Sequence, residues 1–232
     1  MATIADVADR AQVHLNDAAA GTWPQATVEA WVADAIRDYS QYFPRVIESY
    51  VEQVGGTPTH YIVLPTDFME MILVEFPRGE DPPIHLERRS LHAATFWDVD
   101  GYYDILYVEQ EAEAGMPDTQ AQLVLSRVPL ATEGYTIRYL AAHSGSGSSD
   151  TVTVKTDHQP LLILYVLWQA FKERAATQLQ DPDTTSDILQ KTVNAEMQAH
   201  EEYRRGITNA QTKRSQGGWT GPWKADDFDP IY

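Results

Sequence analysis

The sequence predicts an α+β protein. Its expected parts are a four-helix body from both chain ends, an inserted, largely antiparallel β-rich segment, and an extended C-terminal arm. Three observations carry this. Apolar residues recur at spacings of 3 and 4 near both ends of the chain. Between them the period shortens and β-branched and aromatic residues gather. Beyond Gly217 no period survives. The expected divisions are 1–44 and 157–216 for the helical body, 45–156 for the insert and 217–232 for the arm.

The first helix is expected within "TIADVADRAQVHLND", where Thr3 and Asp6 have the spacing of a capping box. Ile4, Val7, Ala8, Ala11 and Leu15 then fall on one face. Asn16, Asp17 and Gly21 mark an exit loop, and Pro24 suits the start of a second helix. That helix carries the stripe Val28, Trp31, Val32, Ala35, Ile36, Tyr39 and Phe43, with Asp34, Arg37 and Asp38 opposite. A short connection makes the two an antiparallel pair, and Trp23, Trp31, Tyr39 and Phe43 are its expected core.

"RVIESYVEQV" and "THYIVLP", joined across Gly55-Gly56, read as a β-hairpin. "MEMILVEFP", "YYDILYVEQE", "AQLVLSRVP" and "EGYTIRYLAAH" read as further strands, with Asp100-Gly101 as a hairpin turn. "HSGSGSSD" (143–150) is small and polar and reads as a flexible loop. Helix returns at Pro160. Residues 161–168 are apolar nearly all round, as in a helix covered on most sides. Asp181-Pro182-Asp183 breaks it, and a long polar helix follows with Ile188, Val193, Ala195, Ala199, Tyr203 and Ile207 towards the core.

The chain has 232 residues, 43 % hydrophobic and 22 % charged, the composition of a folded globular protein. It has no cysteine, which excludes disulfides, thiolate metal sites and a cysteine nucleophile. The longest apolar run, 160–171, is too short to span a bilayer, so no membrane partner is expected. The N-terminal residues lack a secretion pattern. The net charge of −17 opposes tight binding to phosphate backbones and anionic membranes. It reads either as a device for solubility or as a surface that DNA passes without sticking.

Candidate chemistry is thin. Asp98, Asp100, Asp104 and Glu109 fall at calcium-loop offsets, but Tyr103 stands where the sharp turn needs glycine, and no flanking helices are expected. The same acids could pair as in a glycosidase, although 34 acidic residues make chance pairing easy. The seven histidines show no metal-ligand spacing, and His143-Ser144 sits in the expected flexible loop. No phosphate-binding glycine motif occurs. No catalytic residue, cofactor or metal is expected, and the chain reads as a non-enzyme.

Two features point to contacts instead. Arg204, Arg205, Lys213 and Arg214 lie late in the last helix, where they either complement its dipole or form a small basic contact to a partner or passing DNA. The arm holds Trp219, Trp223, Phe228, Ile231 and Tyr232 among glycines, prolines and acids. Burying these side chains does not offset the entropy of ordering the segment alone, so it is expected to dock on another chain by edge-strand pairing, or to fold back on its own body.

"LNDAAAGTWPQATVEAWVADAIRDYSQYF", "YIVLPTDFMEMILV", "IRYLAAH" and "DHQPLLILYVLWQAFKERA" with "QDPD" resemble segments of the head-to-tail adaptor (connector) proteins of tailed bacteriophages. The likeness covers most of the chain and is weakest over 77–130. It implies a ring, commonly of twelve copies, beneath the portal protein and above the next tail or stopper protein. DNA would pass through its lumen without sequence-specific binding. It also implies a C-terminal segment that grips the portal, a role that suits 217–232, and a place in the virion neck after assembly in the host cytoplasm. Many weak arm contacts become strong together in a ring. Two rival readings stand beside this. One is a tail-associated carbohydrate-binding or glycan-cleaving protein, in which Asp98→Asn or Asp104→Asn abolishes activity and spares assembly. The other is a tail terminator or stopper at the same joint. With no heptad pattern, the free chain is expected to be a monomer.

Overall fold

A computed structural model describes residues 2–17, 20–52, 59–109, 119–130, 133–145 and 147–216. The described residues form four α-helices and two β-sheets, an α+β fold. The chain divides into two compact units, with breaks at 43/44 and 142/143.

In the helical unit, α1 (Ile4–His14) starts at the expected capping box: Thr3 N–H donates to Asp6 Oδ2 at 2.8 Å, and Asp6 N–H donates to Thr3 Oγ1 at 3.2 Å. A helix start leaves orphan amide donors. Here Ile4 N–H finds Asp150 O at 3.2 Å and Ala5 N–H finds Ser148 O at 3.1 Å. The described part of 143–150 is therefore not the free loop that its composition suggests. It closes the first turn of α1, and Val152 and Val154 then enter the helical core. Gly145 has φ +141°, and a Cβ there would stand 3.1 Å from Ile36 Cδ1 and 3.4 Å from Ile4 Cδ1. Both the backbone angle and the space call for glycine.

Asn16 adopts φ 58° at the exit of α1. Asp17 then accepts the N–H groups of Gly21, Thr22 and Trp23 at 2.9–3.0 Å. These bonds, the one from Trp23 foremost, hold its carboxyl below the usual aspartate range. The chain so turned enters α2 (Gln25–Tyr42), which buries Val28, Val32, Ala35, Ile36 and Tyr39 at helical spacing. In α3 (Gln159–Gln180) no residue from 161 to 171 is exposed, consistent with its apolar circumference. In α4 (Ser186–Gln216) Ala199, Tyr203, Ile207 and Ala210 are buried. Ile188 is 48 % exposed and not a core residue, contrary to expectation. It lies near the α3–α4 turn, whereas the buried residues of α3 end at Ala175 and those of α4 begin at Thr192.

The second unit holds β1 (Arg45–Glu52), β2 (Tyr61–Val63), β3 (Phe68–Glu75), β4 (Glu87–Arg88), β5 (Tyr102–Glu109), β6 (Thr119–Leu125) and β7 (Gly134–Ala141). One sheet has the order β1-β7-β3 and the other β2-β6-β5-β4. The expected β1–β2 hairpin does not form. β1 pairs antiparallel with β7, Arg45 opposite Ala141, while β2 pairs with β6 in the other sheet. Nor is Asp100-Gly101 a hairpin turn, because β4 and β5 are parallel and need a crossover. Gly101, at φ +113°, ends that crossover, and its carbonyl accepts Glu87 N–H at 2.9 Å. β7 alternates strictly, burying Tyr135, Ile137, Tyr139 and Ala141. Leu123 and Leu125 of β6 and Tyr103 and Ile105 of β5 join them in one core shared by both sheets.

Candidate functional site

The last helix offers the most distinctive surface. Its rotation is fixed by the residues it buries. Tyr203 donates its phenol to Asp38 Oδ2 of α2 and meets Tyr165 of α3 edge-on, with ring centres 5.4 Å apart. Burial first, then the Asp38 carboxylate, drives the Tyr203 phenol far above its ordinary pKa, so it stays protonated as a donor. One turn earlier His200 stacks on Trp168 at 4.2 Å and 14°, and Lys172 Nζ lies 5.6 Å from the same indole. With that inner face engaged, Met197, Glu201, Arg204, Arg205 and Thr208 point outward, because helical neighbours lie 3 and 4 apart. They border a groove of about 690 Å³, and Arg205 pairs with Glu201 at 2.8 Å. Met197 is 65 % exposed.

The four basic residues predicted as one contact divide into two pairs. Arg204 and Arg205 lie on this outer stripe. Lys213 and Arg214 fall in the last turn, roughly 12 Å further along the axis, where cations complement the carbonyl end of a helix. Their field reaches inward: Lys213 helps to lower the His158 pKa, and Arg214 opposes the rise at Tyr39.

A histidine cluster escaped the sequence reading. His143 Nε2 lies 2.8 Å from the carbonyl of Phe43, which can only accept, so this nitrogen carries the proton. Nδ1 then takes the Thr153 hydroxyl at 3.0 Å, and the His143 amide donates to Ser40 Oγ at 2.9 Å. Tyr39 Oη stands 2.6 Å from His158 Nδ1, and the Tyr39 ring stacks on Phe43 at 4.9 Å. Burial lowers the His158 pKa and raises that of Tyr39, which makes the phenol the donor to a neutral imidazole. Tyr39 and Phe43 therefore pack on histidines from beyond the β-rich insert as well as on each other. Nothing in the spacing of His143 and His158 signals this, since both partners come from more than 90 residues away.

The other predicted core residues, Trp23 and Trp31, meet edge-on at 6.4 Å, with Trp23 buried and Trp31 half-buried. The arm residues Trp219, Trp223, Phe228, Ile231 and Tyr232 lie outside the described residues. Asp104 holds backbone in place. Its Oδ2 accepts Leu91 N–H at 2.8 Å and its Oδ1 accepts Ile105 N–H at 2.8 Å, which pins the β4–β5 crossover. The run with calcium-loop offsets continues into β5, which leaves no loop there to wrap an ion. Among the described residues no group of three or more His, Asp or Glu side chains could hold a metal ion. No helix among them is long and apolar enough to cross a membrane.

The SU10 adaptor protein family model matches residues 2–225, nearly the whole length. The chain is a member of that family, a structural adaptor of the bacteriophage head–tail kind. No curated protein matches the sequence.

Proposed function

We propose that the chain is a non-enzymatic virion protein that forms a ring joining the portal to the tail, with DNA passing through its lumen. The family match over residues 2–225 carries this reading. The helical body builds the ring, of twelve copies, and the aromatic packing of Trp23, Trp31, Tyr39 and Phe43 serves as scaffold. Residues 217–232 grip the portal through Trp219, Trp223, Phe228, Ile231 and Tyr232, and the next tail or stopper protein binds below. The net charge of −17 supports a lumen through which DNA slides without sequence-specific contacts. The protein assembles in the host cytoplasm and resides in the virion neck.

The test mixes purified portal rings with the full-length chain or with a chain ending at Gln216, followed by negative-stain microscopy. A second ring on the portal with the full-length chain alone is the expected result. Binding by neither version would overturn the adaptor role, and equal binding by both would remove the arm from it.

A further inference from the structure

We propose that the outer stripe of α4 is a docking groove for the same chain's own arm, which lies back along the last helix until the portal takes it. Only this competition with the portal rests on the proposed function; the docking itself does not.

The argument begins with connectivity. α4 runs to Gln216, and the sequence continues at once as Gly217-Gly218. Glycine just past a helix end reverses the chain at no steric cost. From Trp219 to Phe228 an extended strand covers roughly 30 Å at about 3.3 Å per residue. The helix from 214 back to 194 covers roughly 30 Å at about 1.5 Å per residue. The arm therefore spans the stripe without slack or strain.

The chemistry matches in the same register. An antiparallel return from Trp219 brings Trp223 level with Arg204 and Arg205, a cation–π pairing. Phe228 comes level with Asn194, one turn from Met197, whose thioether suits an aromatic edge and which is now 65 % exposed. Asp226 and Asp227 fall between them, roughly 10 Å along the axis from the two arginines. On a chain of net charge −17 an acidic segment is repelled from most surfaces. On this stripe Arg204, beside the Arg205–Glu201 pair, is a place that attracts it.

The lack of native cysteine makes a clean cross-linking test possible. Met197→Cys and Phe228→Cys are introduced together in the full chain. The control pairs Phe228→Cys with Glu173→Cys, an exposed position on α3. Both are oxidised at low micromolar concentration without portal and mapped by mass spectrometry. The expected result is an intramolecular disulfide that forms at least ten times faster in the Met197 pair, and that slows several-fold when Arg204→Glu and Arg205→Glu are added. A rate equal to the control, or disulfides only between two copies, would overturn docking on the chain's own helix. The cross-linked chain is then offered to portal rings. Loss of binding that returns on reduction supports competition for the arm, whereas undiminished binding by the cross-linked chain refutes it. A full-length chain that forms the disulfide and never binds portal would sink the adaptor reading alone.

Discussion

Gly206 of α4 and Leu161 of α3 approach so closely that a Cβ on Gly206 would lie 2.4 Å from Leu161 Cδ2. The Leu161 side chain packs directly on the α4 backbone here, next to the buried Tyr203 and Ile207. In an open helix, Gly→Ala gains about 1 kcal/mol from propensity. Leu161 belongs to the helical core, so moving its methyl aside means repacking that core, and overpacking costs about 1–3 kcal/mol. Gly206→Ala alone is therefore expected to lower stability, while in a Leu161→Ala background it raises it. Urea denaturation of the four chains checks this, and additive effects would show that the contact is not tight.

His158 gives the helical unit a pH dependence of definite sign. Burial holds its folded pKa below the ordinary 6.5, with Lys155 and Lys213 adding to the lowering and Asp157 opposing it. The unfolded chain titrates near the ordinary value and so binds the proton first as pH falls. The contribution of His158 is complete above the unfolded value. It declines as pH drops from there towards the folded value and is constant below. The melting temperature of the native chain should fall more steeply between about pH 7.5 and 5.5 than that of His158→Gln. A folded His158 pKa at or above 6.5 by NMR titration would contradict this.

The helical core contains only side chains from residues before 44 and after 142. The hydrogen bond from His143 to the Phe43 carbonyl holds the two crossing points together. Replacing 44–142 by a Gly-Ser linker of about four residues is therefore expected to leave a folded helical unit. Circular dichroism should show a cooperative thermal transition with helix retained. A gradual, non-cooperative melt would mean that the unit depends on the insert.

Much of the helical unit was legible in the sequence because its signals are local. Thr3 and Asp6 announce α1 within one turn, and the α2 stripe repeats at helical spacing. The errors share a different cause. β1 and β2 have correct strand character, yet pairing depends on which distant strand completes a sheet, and Arg45 finds Ala141 rather than a neighbour. The 143–150 stretch looks free by composition, but its carbonyls answer the amides of Ile4 and Ala5, which composition does not encode. Ile188 keeps helical phase with the core and is exposed because burial depends on where the neighbouring helices end. The outer stripe of α4 was half visible: its arginines stood out, but their division from Lys213 and Arg214 required the helix in three dimensions.

The closure of α1 by Asp150 and Ser148 also sets an order in time. Ribosomal synthesis adds about 5–20 residues per second, so roughly 7–30 seconds separate Ile4 and Ala5 from the carbonyls that complete their turn. Tyr203, the partner of Asp38, comes later still. The first two helices thus leave the ribosome with only each other to pack against, while the strands of 44–142 have all their core partners in hand before residue 143 is made. In a growing chain the middle can finish first, and the ends meet last.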